Sequence, residues 1–163
     1  MSDVADYDAD ILLWSERQAA LLRDLKTRAR GLPNELDLEN VAEEIESVGR
    51  SEFDTVRSHL RNILRHLVKI AADGDADPVV HWLGEIRTFQ SDMIDRLAPS
   101  MRGRIDMDAV WRRAVKEARA DFADRGQILP LFPETCPVTF ESVASEDFDP
   151  RATAAKLAAA ILS

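Results

Sequence analysis

A chain of 163 residues, 45% hydrophobic and 31% charged, has the composition of one globular domain over residues 1–163, which excludes wholesale disorder. Its net charge of −9 weighs against nucleic acid as the main partner. The apolar runs are too short to span a bilayer, no signal-peptide pattern follows Met1, and the lone Cys136 rules out an intrachain disulfide and suits a reducing cytoplasm.

Helical patterning dominates. The first helix is expected to start at a cap from Asp6 or Asp8, with Ile11, Trp14, Leu21, Leu22 and Leu25 as its inner stripe and Gly31 and Pro33 as its stop. Asp37 caps a second, longer pattern in which Val41, Ile45, Val48, Val56, Leu60, Ile63, Leu67 and Ile70 recur in steps of three and four. Acids crowd its start and bases its second half, which complements the helix dipole. Unbroken, this helix is about 54 Å long, against a compact diameter of about 40 Å. Gly49-Arg50-Ser51 is the one place for a break, but the apolar phase carries through Gly49 and favours one long helix.

A turn over Asp73–Asp77 leads to Pro78 at the first position of a third helix, with Val79, Trp82, Ile86, Phe89, Met93 and Leu97 inward. A fourth, capped by Asp106 or Asp108, turns Trp111, Ala114, Val115, Ala118 and Phe122 inward and stops at Gly126. Pro130, Pro133 and Pro137 preclude regular helix in the next segment, apart from a single turn after Thr139. Asp149-Pro150 opens an Ala-rich last helix that runs to Leu162. The fold class is therefore all-α: a bundle of about five helices with one long second helix and a proline-rich acidic segment wrapped over the surface.

The chemistry-bearing residues gather beside the stripe of the second helix. Glu52 and His59 fall near the centre of its apolar face on a helical wheel, with Thr55, Asn62 and His66 on the flank, and such residues must find hydrogen-bond partners or stay wet. If the second and third helices form an antiparallel hairpin, His66 lies near His81 and Glu85. Those three could ligate a divalent zinc- or iron-type ion with one position open to water, although a hydrogen-bonded polar layer uses the same residues and no cofactor is otherwise implied. Glu43, Glu44 and Glu46 point different ways around one helix, so pairing between helices explains them better than paired-carboxylate catalysis. Arg57, Arg61, Arg65 and Lys69 make a basic row that suits phosphate, or else a solvated face or pairing with the acidic tail. Trp14, Trp82 and Trp111 read as core, and Cys136 as an inert thiol without a neighbouring base.

Taken together, Tyr7-Asp8 with Trp14, Leu36-Asp37, Glu43-Glu44-Ile45-Glu46, His66-Leu67-Val68-Lys69, Trp82, Pro99-Ser100-Met101, Pro133-Glu134-Thr135-Cys136-Pro137 and Phe148-Asp149-Pro150 form an ordered set. In order and spacing it resembles the bacterial domain-of-unknown-function family DUF29 over about residues 5–150. The resemblance implies an all-helical cytoplasmic protein and no particular activity. It draws attention to His66, Lys69 and the Glu43–Glu46 cluster, which sit in the family's own motifs. It also points to a joint role for Glu44 and His66, which could meet only if the helix folds back near Gly49 or a second subunit brings its copy alongside. The residue cluster to follow is thus Glu44, Glu52, His59, His66 and Lys69. The functional expectation is a non-enzymatic interaction or regulatory module that self-associates or binds a protein partner, with a metal-assisted hydrolase centred on His66 as the alternative.

Overall fold

The structure, a computed structural model, describes residues 7–162. Among them stand seven helices and no strand: α1 (Ile11–Arg28), α2 (Leu38–Ala72), α3 (Val79–Arg96), α4 (Pro99–Arg102), α5 (Met107–Asp124), α6 (Phe140–Ala144) and α7 (Pro150–Ala159). The five longer ones are the five expected from periodicity. The single turn after Thr139 is α6, where the Thr139 hydroxyl accepts the Ser142 amide at 3.2 Å, and α4 is a further short turn behind Pro99. Of the described residues, 7–55 and 96–104 make one compact unit and 56–95 and 105–162 a second.

The long second helix is continuous, 35 residues through Gly49, and Asp37 caps it by accepting the Asn40 amide at 3.2 Å. In the first unit Gly49 serves closeness rather than a break. A Cβ built there would stand 2.0 Å from the Ser15 hydroxyl and 2.9 Å from the Leu12 Cα, so α1 and α2 touch almost backbone to backbone. That closeness corrects the expected stripe of α1. Its buried residues are Leu12, Ser15 and Ala19, while Leu21 and Leu25 are exposed and Trp14 is half-buried with its ring edge-on to Tyr7. On the facing part of α2, Leu38, Ala42 and Gly49 are buried, and Val41 and Val48 are exposed. Small side chains take the point of closest approach, Ser15 against Gly49, because only they allow so short a distance.

One side of this helix pair is closed by ion pairs. Arg23 reaches Glu39 at 3.1 Å, Glu43 at 3.4 Å and Glu46 at 3.0 Å, and Arg50 holds Glu43 at 2.7 Å. The cap of α1 is Asp10, not Asp8, and Asp6 lies outside the described residues. Asp10 accepts the Leu13 amide at 3.0 Å, the Ser100 amide at 2.8 Å and the Ser100 hydroxyl at 2.7 Å. Burial alone would raise this carboxyl, but those donors outweigh it and hold its pKa below the usual carboxylate range. The Pro99-Ser100 motif thus ties α4 to the start of α1.

The second unit has the larger apolar core. Val56, Leu60, Ile63, Leu64, Leu67 and Val68 of α2 are fully buried with Ile86 and Met93 of α3 and Trp111, Ala114 and Ala118 of α5. Pro78 stands just ahead of α3, its carbonyl accepting the Trp82 amide at 2.9 Å, and Asp106 caps α5 through the Ala109 amide. Gly126 ends α5's last turn with φ +70°, a conformation costly for other residues. The proline-rich segment is anchored by side chains. Trp111 donates its indole N–H to the Pro133 carbonyl at 2.7 Å, Asp108 accepts the Cys136 amide at 2.9 Å, and Gln90 donates to the Val143 and Ser145 carbonyls. α7 ends at Ala159 rather than Leu162, because the Leu162 amide turns away to the Leu131 carbonyl at 2.8 Å.

Candidate functional site

The polar ladder of α2 is the centre of the second unit's polar chemistry. Its neighbours on α3 show the antiparallel hairpin that the Gly74 turn allows. His59 and His66 both pack against the Phe89 ring, at centroid distances of 5.8 and 6.1 Å, and His66 also stacks on Trp82 at 6.5 Å. Glu85 extends a carboxylate oxygen to His66 Nε2 at 3.2 Å and to His81 Nε2 at 3.5 Å. His66, His81 and Glu85 therefore do meet, with the carboxylate between the two imidazoles. Among the described residues no group of three or more His, Cys, Asp or Glu side chains is disposed to hold a metal ion as they stand. The buried Nδ1 atoms of His59 and His66 have no hydrogen-bond partner.

Burial, followed by the nearby charges of Lys69 and Arg65, pushes the His66 pKa down to about 4. His66 is therefore neutral at pH 7. Donating Nε2–H to Glu85 leaves only a lone pair on Nδ1, which is cheaper to bury unpaired than an N–H. Beside it Lys69 is buried, its ammonium 4.4 Å from the Trp82 ring centroid and 3.7 Å from Asp121. Burial also lowers the Lys69 pKa, and the Asp121 charge opposes that shift.

Arg61, Arg65 and Lys69 of the basic row pair with α5. Arg61 meets Glu117 at 3.3 Å, and Arg65 grips Asp121 through both Nε, at 2.7 Å, and its terminal nitrogen. Burial would raise the Asp121 carboxyl, but the Arg65 hydrogen bond and the charges of Arg65 and Lys69 hold its pKa below the usual range. With Arg61, Arg65 and Lys69 so engaged, these three are poorly placed to receive phosphate. Asp121 was not singled out in the sequence, although Glu117 and Asp121 repeat at the four-residue step of Arg61 and Arg65, and that matched spacing was the available signal.

The remaining candidates lie elsewhere. Glu52 pairs with Arg96 at 2.9 Å, and Glu44 is exposed on α2. Unbroken α2 offers no fold-back through which Glu44 and His66 could meet in one chain. Half-buried Cys136 has its pKa raised to about 11 by burial, helped by the Asp108 charge, so its thiol is unreactive at neutral pH. An open cleft of about 460 Å³, lined by His81, Gly84, Glu85, Thr88 and Phe89, lies beside the His66–Glu85 contact. No helix among the described residues is long and apolar enough to cross a membrane.

Fold and site together define an all-helical protein whose polar residues hold three helices in register around a buried, neutral imidazole. The chain belongs to the family described as Domain of unknown function DUF29, which matches residues 7–149. It is also similar to an alpha-helical protein of unknown function from Rhodospirillum rubrum ATCC 11170 whose crystal structure is known. The identity is 35%, the TM-score 0.88, and the match covers 94% of this chain and 98% of the other. No curated protein matches.

Proposed function

We propose that this chain is a non-enzymatic helical interaction or regulatory module that works by binding protein, self-association included. One observation carries the reading. Leu21 (59% exposed), Leu25 (43%), Val41 (40%) and Val48 (43%) all stand out on the α1–α2 pair, whose closest approach is between Ser15 and Gly49. Single exposed leucines are ordinary, but a cluster on two adjacent helices marks an interaction surface. The polar ladder supports the same reading, because its charged members are engaged in helix-to-helix pairs. The test is a photo-crosslinking residue in place of Leu21 in the cell of origin. A crosslinked protein, absent when the probe replaces the exposed Arg102, is expected; no crosslink above that control overturns the reading.

A metal-assisted hydrolase centred on His66 is the second reading, favoured by the meeting of His66, Glu85 and His81. A divalent ion there would take His66 Nε2 and the Glu85 carboxylate, and His81, whose side chain is 73% exposed, would turn in to complete the set. It must also move the remaining His66 proton onto the buried, unpartnered Nδ1, which costs about 1–3 kcal/mol. Calorimetric titration with zinc decides it. Binding at one equivalent that His66→Ala abolishes supports the site, and heat unchanged by that substitution removes it.

A further inference from the structure

We propose that the exposed α1–α2 flank is covered by a second copy of this chain, two helix pairs closing a four-helix bundle in which α1 of each copy packs on α2 of the other. The proposal rests on the interaction reading above and names its partner.

The flank is well defined. At 100° per residue, and with the Ser15–Gly49 contact as reference, Arg23, Glu39, Glu43 and Glu46 lie to one side of the helix pair. Leu21 and Leu25 of α1 and Val41, Ile45 and Val48 of α2 lie to the opposite side. The closest contact is thus between small side chains, while Leu21, Leu25, Val41 and Val48 face water and Ile45 is half-buried. Two antiparallel helices are half of a four-helix bundle, and the missing half must also present two apolar helices. A second copy supplies them through a closed two-fold contact.

Charge selects the pairing. Turning further round each helix, away from its neighbour, α1 presents Arg17, Asp24 and Arg28, a net positive edge, while α2 presents Glu44, with Asp37 at its start, a net negative one. Arg28 pairs with Asp24 one turn away, and its side chain is 79% exposed. A two-fold axis along the helices sets α1 antiparallel to α2 of the second copy, so the basic edge meets the acidic one. The level at which Ser15 faces Gly49 and Arg23 faces Glu39–Glu46 is then repeated between copies. Leu25 falls beside Val41 of the second copy, Leu21 beside its Ile45 and Val48, and Arg28 beside its Asp37. An axis across the helices would set α1 on α1 and bring the arginine edges together, which like charges disfavour.

The test is the mass of the full chain by light scattering, joined to cysteine crosslinking in a Cys136→Ser background. Twice the chain mass is expected for the native protein, and the chain mass for Leu21→Glu/Val48→Glu with its helical circular dichroism retained. Leu25→Cys copies mixed with Val41→Cys copies should form a disulfide-linked pair, and Leu25→Cys copies alone should not. Should the glutamate variant unfold, the cysteine pair still decides. A native dimer that survives both glutamates, or Leu25→Cys copies that link only to themselves, overturns the proposal. A native monomer also overturns it: if the Leu21 crosslink to another protein persists, the interaction reading stands without this partner, and if that crosslink is also lost, both fall.

Discussion

At the scale of single residues, His66 is the group with most to reveal. Its pKa is about 4 in the folded chain against 6.5 for an ordinary histidine. Above pH 6.5 the imidazole is neutral in both states and adds no pH dependence. Below it the unfolded chain takes up the proton first, so stability falls as pH drops from 6.5 towards 4. The full shift corresponds to about 3 kcal/mol. Urea unfolding from pH 7.5 to 4 should therefore show a loss of that order in the native protein and a clearly smaller one in His66→Gln, which keeps a donor for Glu85. Parallel curves for the two would mean that His66 takes its proton as readily folded as unfolded. His66 and Lys69 stood out in the sequence because they sit in the His66-Leu67-Val68-Lys69 motif of the family resemblance, with His66 also on the flank of the apolar face of α2. Their partners did not: Glu85 was found from the assumed hairpin, whereas Asp121 lies 52 residues beyond Lys69 on a helix whose sequence reads as ordinary amphipathic surface.

At the scale of helices, the close approach of α1 to α2 makes Gly49 the most sensitive position in the first unit. Gly49→Ala would normally favour a helix, since alanine has the better propensity by about 1 kcal/mol. Here the added methyl meets the Ser15 hydroxyl at 2.0 Å and the Leu12 Cα at 2.9 Å, and the second is backbone that cannot rotate away. The clash should win, with a net loss of about 1–3 kcal/mol on chemical denaturation. Adding Ser15→Gly should recover only part of it, because Leu12 remains. An alanine variant as stable as the native chain would show that the helices part without cost. The same contact explains where the sequence misleads. Caps at Asp37, Asp106, Thr139 and Asp149, the Gly126 stop and the unbroken phase of α2 are local signals, and all appear in the structure. The inner face of α1 is set by a neighbour. A tally of hydrophobicity assigns Leu21 and Leu25 inward, while Ser15 and Ala19, which carry little hydrophobic weight, take the interface because they are small.

At the scale of the molecule, the apolar flank ties stability to concentration. A monomer unfolds at a temperature independent of how much protein is present, whereas partners that associate only when folded hold one another in the native state by mass action. For a dimer that dissociates as it unfolds, a tenfold rise in concentration adds about 1.4 kcal/mol per dimer, half of it per chain. With about 2–4 °C per kcal/mol for chains of this length, the melting temperature should rise by about 2 °C per decade of concentration. Leu21→Glu/Val48→Glu should melt at one temperature across the same range. It need not melt lower than the dilute native protein, because both side chains are already in water in the single chain. The net charge of −9 is repeated on each copy and opposes their approach, so the concentration dependence should be plainest near physiological salt, where the Debye length is about 8 Å. There the repulsion between whole copies is largely screened, while apolar contacts of Leu21 and Leu25 with Val41 and Val48 are not. A native melting temperature that ignores concentration under those conditions would leave the flank facing water in the working protein, and its four exposed side chains would then need a partner other than this chain.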